Sequence, residues 1–114
     1  MPNCVFCRII DRTIPANVVF EDDLILAFTD IRPQAPRHIL IIPKKHFASL
    51  NDVPDDTSGL LGRLLVEARR IAAAEGLAAS GFRLVVNTGP DSGQDVPHLH
   101  VHLLGGRKMA WPPG

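Results

Sequence analysis

The chain has 114 residues, 46% hydrophobic and 21% charged, with 12 Lys+Arg balancing 12 Asp+Glu. That size suits one domain, residues 1–114, with a modest core, and the balance excludes a basic field that would draw nucleic acid. The start Met1-Pro2-Asn3-Cys4 lacks a charged-then-apolar leader and no apolar run is long enough for a bilayer, so a cytoplasmic protein without a membrane partner is expected.

In chain order, Val5-Phe6-Cys7-Arg8-Ile9-Ile10-Asp11 has apolar groups at helical spacing and predicts a short helix over 5–11, closed off by Pro15. Residues 17–21 and 24–29 predict two strands around the turn Glu21-Asp22-Asp23. His38-Ile39-Leu40-Ile41-Ile42 is a continuous apolar strand that Pro43 ends. One long amphipathic helix is predicted over 57–75. It carries Leu60, Leu61, Leu64, Leu65, Ala68, Ile71 and Ala72 on one face and Arg63, Glu67, Arg70 and Glu75 largely outside it. Asp56, Thr57 or Ser58 is its cap, and Gly76 stands just past its end. Residues 82–87 predict a strand, 89–93 a turn and 98–104 the last strand. Strands in a run with one long helix inserted predict an α+β domain on an antiparallel sheet.

The last strand is the chemical signal. In His98-Leu99-His100-Val101-His102-Leu103-Leu104 every second residue is histidine. On an extended strand those three imidazoles share one face, roughly 6.6 Å apart, while Leu99, Val101 and Leu103 bury the other. A solvent face that merely happens to be histidine is the competing reading. Histidine suits a site that handles protons or lone pairs near neutral pH. Cys4-x-x-Cys7 is a weaker signal: metal ligands, a redox pair or two passive thiols. No strand is predicted before Cys4, which disfavours the redox reading.

These motifs together resemble the histidine triad (HIT) superfamily, with its signature His-φ-His-φ-His-φ-φ, and specifically its Hint branch of nucleoside phosphoramidases. The resemblance runs from Phe6-Cys7-Arg8-Ile9-Ile10 to the last residue. It rests also on Asp30-Ile31-Arg32-Pro33-Gln34-Ala35-Pro36, on His38-Ile39-Leu40-Ile41-Ile42-Pro43-Lys44-Lys45-His46, on Gly93-Gln94 and on the tail from Gly105-Gly106-Arg107 to Pro112-Pro113-Gly114. It implies a five-stranded antiparallel sheet with one long and one short helix, dimerising into a joined sheet. The implied reaction is hydrolysis of the P–N bond of adenosine 5'-monophosphoramidate-type substrates, through a nucleotide bonded to histidine.

Residue by residue, the resemblance makes His100 the nucleophile, with His102, His38 and His98 as its catalytic partners. Asp30 matches the acid that binds the ribose hydroxyls, with Ile31 packing on the nucleoside, and Val5, Phe6, Ile9 and Phe28 match the base-binding wall. Asn87, Gly93, Gln94 and residue 95 match the phosphate side. Two positions depart from the family pattern: Asp95 stands where Ser or Thr is usual, and Pro97 replaces an aromatic residue. A carboxylate beside a phosphate repels it, which puts leaving-group preference in question. HIT proteins that keep the cysteine pair bind structural zinc, here through Cys4, Cys7, His46 and His98, a set that suits zinc's tetrahedral preference.

Purine nucleotides, AMP or GMP and their phosphoramidates, are the implied partners, with a second copy of the chain. The predicted long helix, about 28 Å at 1.5 Å per residue, has a wide apolar stripe, and the strand at 82–87 would leave a β-prone edge open. A two-fold dimer covers both, and the tail 105–114 would carry Trp111 toward the partner's active-site mouth. Other readings are a dinucleoside-polyphosphate hydrolase of the same superfamily, a non-catalytic nucleotide-binding regulatory module, and a small zinc-dependent interaction domain.

Overall fold

The computed structural model describes residues 3–114, so the expectation resting on Met1 and Pro2 lies outside the described residues. Five strands form one antiparallel sheet: β1 (Val18–Glu21), β2 (Ile25–Thr29), β3 (Arg37–Pro43), β4 (Phe82–Val85) and β5 (Val101–Gly105), in the order β1-β2-β3-β5-β4. Helix α1 (Val5–Ile10) covers one face and α2 (Ser58–Ala74) the other. Strands β2 and β3 are apolar along nearly their whole length because both faces are buried. Ile25, Ala27, Ile39 and Ile41 face α2, whereas Leu26, Phe28, Leu40 and Ile42 pack with Phe6 and Ile9 of α1. No helix among the described residues is long and apolar enough to cross a membrane.

Local chemistry sets the boundaries. The Cys4 Sγ caps α1 by accepting from the Cys7 N–H at 3.3 Å. At the β1–β2 hairpin, Asp22 Oδ1 accepts from the backbone N–H groups of Leu24 and Ile25, both at 2.8 Å. Thr57 occupies the α2 cap position without a side-chain capping bond, since a 3₁₀ turn (Asp55–Thr57) leads directly into the helix. Gly76, with φ +77°, turns the chain out of it.

Four expectations change. The last strand begins at Val101, not 98. Its pairing with β3 runs from Arg37↔Gly105 to Ile41↔Val101, and two residues further along β3 stands Pro43, which has no N–H to donate. The Leu99 N–H instead donates to the Phe47 carbonyl at 2.7 Å. Alternation still holds, with Leu99, Val101 and Leu103 in the α2-side core and His98 and His100 against Phe6 of α1. On α2, Leu65 is 51% exposed although it belongs to the predicted apolar face. Glu67, expected outside that face, is buried, with its carboxylate 3.5 Å from Arg70 and 3.8 Å from Arg63. The arginines, rather than water, surround its charge. β4 also ends at Val85, two residues short of the expected strand.

Candidate active site and metal cluster

The segment 98–102 crosses beneath α1, so its histidines are held between helix and sheet rather than displayed to solvent. His98 and His100 are buried and His102 is half-buried. Hydrogen bonds fix which nitrogen of each neutral ring carries the proton. A carbonyl can only accept, so His98 Nε2 donates to the Pro43 carbonyl at 2.9 Å and leaves its lone pair on Nδ1. His100 Nδ1 donates to the His98 carbonyl at 2.7 Å, which leaves the lone pair of the neutral ring on Nε2. The Gln34 N–H donates to His38 Nδ1 at 3.0 Å. His38 Nε2 therefore carries a proton and donates it to His102 Nδ1 at 2.9 Å, placing the His102 proton on Nε2. That Nε2 is buried and has no hydrogen-bond partner among the described residues. A buried donor without an acceptor is costly, and a ligand oxygen or nitrogen would satisfy it.

Burial keeps the His38, His98 and His102 rings neutral. It pushes His102 down to about 4, helped by the neighbouring His100 and His38 rings and opposed by the Asp30 and Asp95 carboxylates. Burial lowers His38 as well, against the pull of Asp30, whose Oδ2 lies 3.5 Å away. Burial likewise takes His98 to about 4.

His38, His100 and His102 line a cleft of about 490 Å³. Val5, Phe6, Ile9 and Phe28 form apolar wall, and Asp30 and Asp95 supply carboxylates. Phe6 meets His100 edge-on, with ring centroids 5.2 Å apart. Asp30 Oδ1 accepts from the Arg32 N–H at 2.8 Å, and Ile31 stands 92% exposed at the lip. Asn87, Gly93, Gln94 and Trp111 do not line the cleft. Gln94 ties down its own loop. Its Oε1 accepts from the Gly89 N–H at 2.9 Å and its Nε2 donates to the carbonyls of Ala48 at 2.8 Å and Val96 at 3.0 Å. Trp111 is 81% exposed with the Arg83 guanidinium 6.0 Å from its ring. Sequence reasoning missed Ile14, Pro15 and Ala16, which line the cleft as the chain leaves α1, and also Arg32, Gln34 and Val96. Ile14-Pro15-Ala16 reads as a plain connector, and no local pattern signals that it folds over a cleft.

The second constellation sits under α1. Cys4 Sγ lies 3.3 Å from His98 Nδ1, and Cys7 Sγ lies 3.3 Å from His46 Nδ1 and 3.6 Å from His98 Nδ1. The His46 and His98 Nδ1 atoms are 3.1 Å apart. All four donor atoms lie within 4.8 Å of one another. Spacings of this size fit the edges of a tetrahedron with metal–sulfur bonds of about 2.3 Å and metal–nitrogen bonds of about 2.0–2.1 Å. The Cys4-Cys7-His46-His98 cluster can hold a metal ion. Asp30, His38 and His102 also converge, but there the facing nitrogens share a proton.

Comparison with known proteins agrees with this geometry. The family model for the HIT domain matches residues 11–109. An uncharacterised HIT-like protein of Synechococcus elongatus is 57% identical over 110 residues, 96% of each chain. The crystal structure of a HIT family hydrolase from Legionella pneumophila superposes with a TM-score of 0.96 at 62% identity, covering 98% of this chain and all of that one. A histidine triad nucleotide-binding protein from Candida albicans superposes with a TM-score of 0.83 at 33% identity, over 96% of this chain and 83% of that one. With its histidines placed as described, this chain belongs to the HIT domain family.

Proposed function

We propose that this protein is a hydrolase of the Hint branch, a purine nucleoside phosphoramidase that releases AMP or GMP and an amine. One observation carries the reading: His100 Nδ1 is committed to the His98 carbonyl at 2.7 Å, so Nε2 of the neutral ring has a free lone pair at a cleft. The apolar wall of Val5, Phe6, Ile9 and Phe28 suits a base and Asp30 suits the ribose hydroxyls. The Legionella relative's description as a hydrolase and the Candida relative's as nucleotide-binding support the same assignment.

In this reading the Nε2 lone pair attacks the α-phosphorus and the P–N bond to the amine breaks. The departing nitrogen keeps that electron pair and takes one proton from solvent. His102 Nε2–H offers it or a phosphate oxygen a hydrogen bond, and His38 holds His102 in the required tautomer. Water then attacks phosphorus, the P–N bond to His100 breaks, and its electron pair returns to Nε2 while water's proton goes to solvent.

Zinc is the metal proposed for the cluster. Bound there it would carry no step of the reaction but join α1 to the segment bearing His100. The reduced thiols Cys4 and Cys7 suit the cytoplasm. Residues 1–114 are taken as one HIT domain that works as a homodimer. Leu65, Phe82 and Val86 are exposed apolar groups on α2 and beside the open edge of β4 that a second copy would cover.

Mass spectrometry of protein quenched during turnover of an adenosine phosphoramidate tests the function. A nucleotidyl group on His100 is expected. His100→Ala should lose several orders of magnitude of kcat while still binding AMP. Retention of more than about a tenth of kcat, an effect under roughly 1.4 kcal/mol, would sink the assignment. Preferential turnover of a diadenosine polyphosphate would place the chain in the other branch.

A further inference from the structure

Asp95 is the residue of the cleft that the reaction above leaves without a task. It lines the same cavity as His100 and His102, is exposed, and has no ion-pair partner among the described residues. The other cleft carboxylate, Asp30, is by contrast engaged by the Arg32 N–H at 2.8 Å. Nor is Asp95 free to swing away on a loose loop. Gln94 on one side is held by three hydrogen bonds, one of them to the carbonyl of Val96 on the other side, and the Val96 side chain packs into the apolar cluster under α1. The backbone that carries the carboxylate is fixed at the cleft.

An anion so placed is a liability for a phosphate substrate. Burial holds His38 and His102 neutral, and among the described residues Arg32 is the one lysine or arginine that lines the cavity. With few fixed cations nearby, a free carboxylate lowers affinity for any nucleotide unless the substrate brings a positive charge of its own. The nucleoside would take the apolar wall and phosphorus would sit at His100. What extends past phosphorus is the amine, and there a carboxylate is complementary to a cation.

We propose that Asp95 selects, among nucleoside phosphoramidates, those whose departing amine bears a second, positively charged group, as in a nucleotide joined to one end of an α,ω-diamine or to a comparably basic amine. This rests on the phosphoramidase reading and names its substrate class. Specificity here arises as much from rejecting uncharged competitors, which leave the carboxylate facing phosphate, as from attracting the cation.

The test compares adenosine 5'-phosphoramidates of 1,5-diaminopentane and of hexylamine, which match in length and differ by an ammonium in place of a methyl group. Wild-type kcat/KM should favour the diamine by about tenfold or more, the scale of one close charge pair, and the preference should shrink with added salt. Asp95→Asn should bring the ratio within about threefold by lowering the diamine value and raising the hexylamine value, as expected when attraction and repulsion vanish together. Asp95→Glu should keep a preference. Asp91→Asn, which removes a carboxylate of the same loop outside the cleft, should leave the ratio unchanged. Equal turnover of the two substrates by the wild type, a preference that survives Asp95→Asn, or its loss in Asp91→Asn would overturn the proposal and leave the phosphoramidase reading standing. Failure to hydrolyse either substrate would overturn both.

Discussion

At the scale of single residues, the site is a set of proton positions. His98, His100, His38 and His102 are four chemically identical rings, yet their partners leave His98 with a lone pair on Nδ1, His100 with one on Nε2 and His102 with an unpaired Nε2–H, while both nitrogens of His38 are engaged. Those partners also dictate a pH dependence. An ordinary imidazole titrates near 6.5, whereas burial, with the His100 and His38 rings close by, brings His102 to about 4, and burial lowers His38 too. Between those values the unfolded chain binds protons that the folded chain does not. Stability therefore falls as pH drops from about 6.5 toward 4, and is fully present above about 7. Urea denaturation at pH 7.5 and pH 5 should show a lower midpoint at pH 5, with the gap narrowed in His102→Asn. That variant keeps the cysteine–histidine cluster, so acid loss of a metal affects both chains alike. An unchanged gap would argue against a neutral, buried His102.

At the scale of elements, two devices lock the histidine segment in place. One is the cluster tying α1, through Cys4 and Cys7, to His98 and His46. Purified protein should carry close to one zinc per chain by elemental analysis, and Cys4→Ser with Cys7→Ser should release it and lower the melting temperature. Thiolate ligands must be deprotonated, so zinc should also leave on acidification. A zinc-free protein with two freely titrating thiols would end that assignment. The other is the close approach at the end of β5. A Cβ on Gly106, where φ is +93°, would come within 2.8 Å of the Pro36 Cβ. Pro36 immediately precedes β3, so Gly106→Ala must push a rigid ring next to the strand that carries His38. It should destabilise by about 1–3 kcal/mol. Gly105→Ala should cost less, because Gly105 has no left-handed φ and its 2.6 Å clash is with Cδ1 of the Leu77 side chain rather than with a ring closed on the backbone. Denaturant titration ranks the two, and equal or reversed costs would refute the argument.

At the scale of the whole molecule, the sheet is covered on both faces yet open at β4, whose one partner is β5. Leu65 on α2 is half exposed, and the tail is anchored by Arg107, which donates to the Gln34 carbonyl at 2.9 Å and 3.2 Å, and by Arg83, which donates to the Ala110 carbonyl at 3.0 Å. An indole left in water without a partner chain is costly. Sedimentation at micromolar concentration should show a dimer. Deletion of residues 109–114 should alter selectivity among amine leaving groups while His100 still forms its intermediate. A stable monomer, or unchanged selectivity after the deletion, would remove Trp111 from the site.

The sequence by itself determined the elements and their order, because periodicity of two or 3.6 residues and the breaks at Pro15, Pro43 and Gly76 act over a few positions. It also carried the family resemblance and the alternation of histidine with Leu99, Val101 and Leu103. The tertiary structure decided the rest. β5 begins only at Val101 because Pro43, a residue of another strand, stops the ladder. Glu67 is buried because Arg63 and Arg70 surround it, while Leu65 lies outside the packed face. Gln94 holds a loop, Ile14-Pro15-Ala16 closes over the cleft, His98 takes its tautomer from the carbonyl of Pro43 and His102 takes its own from His38 on the neighbouring strand. Those outcomes depend on which chains lie side by side, and hydrogen-bond partners brought together from separate strands leave no mark in a local pattern.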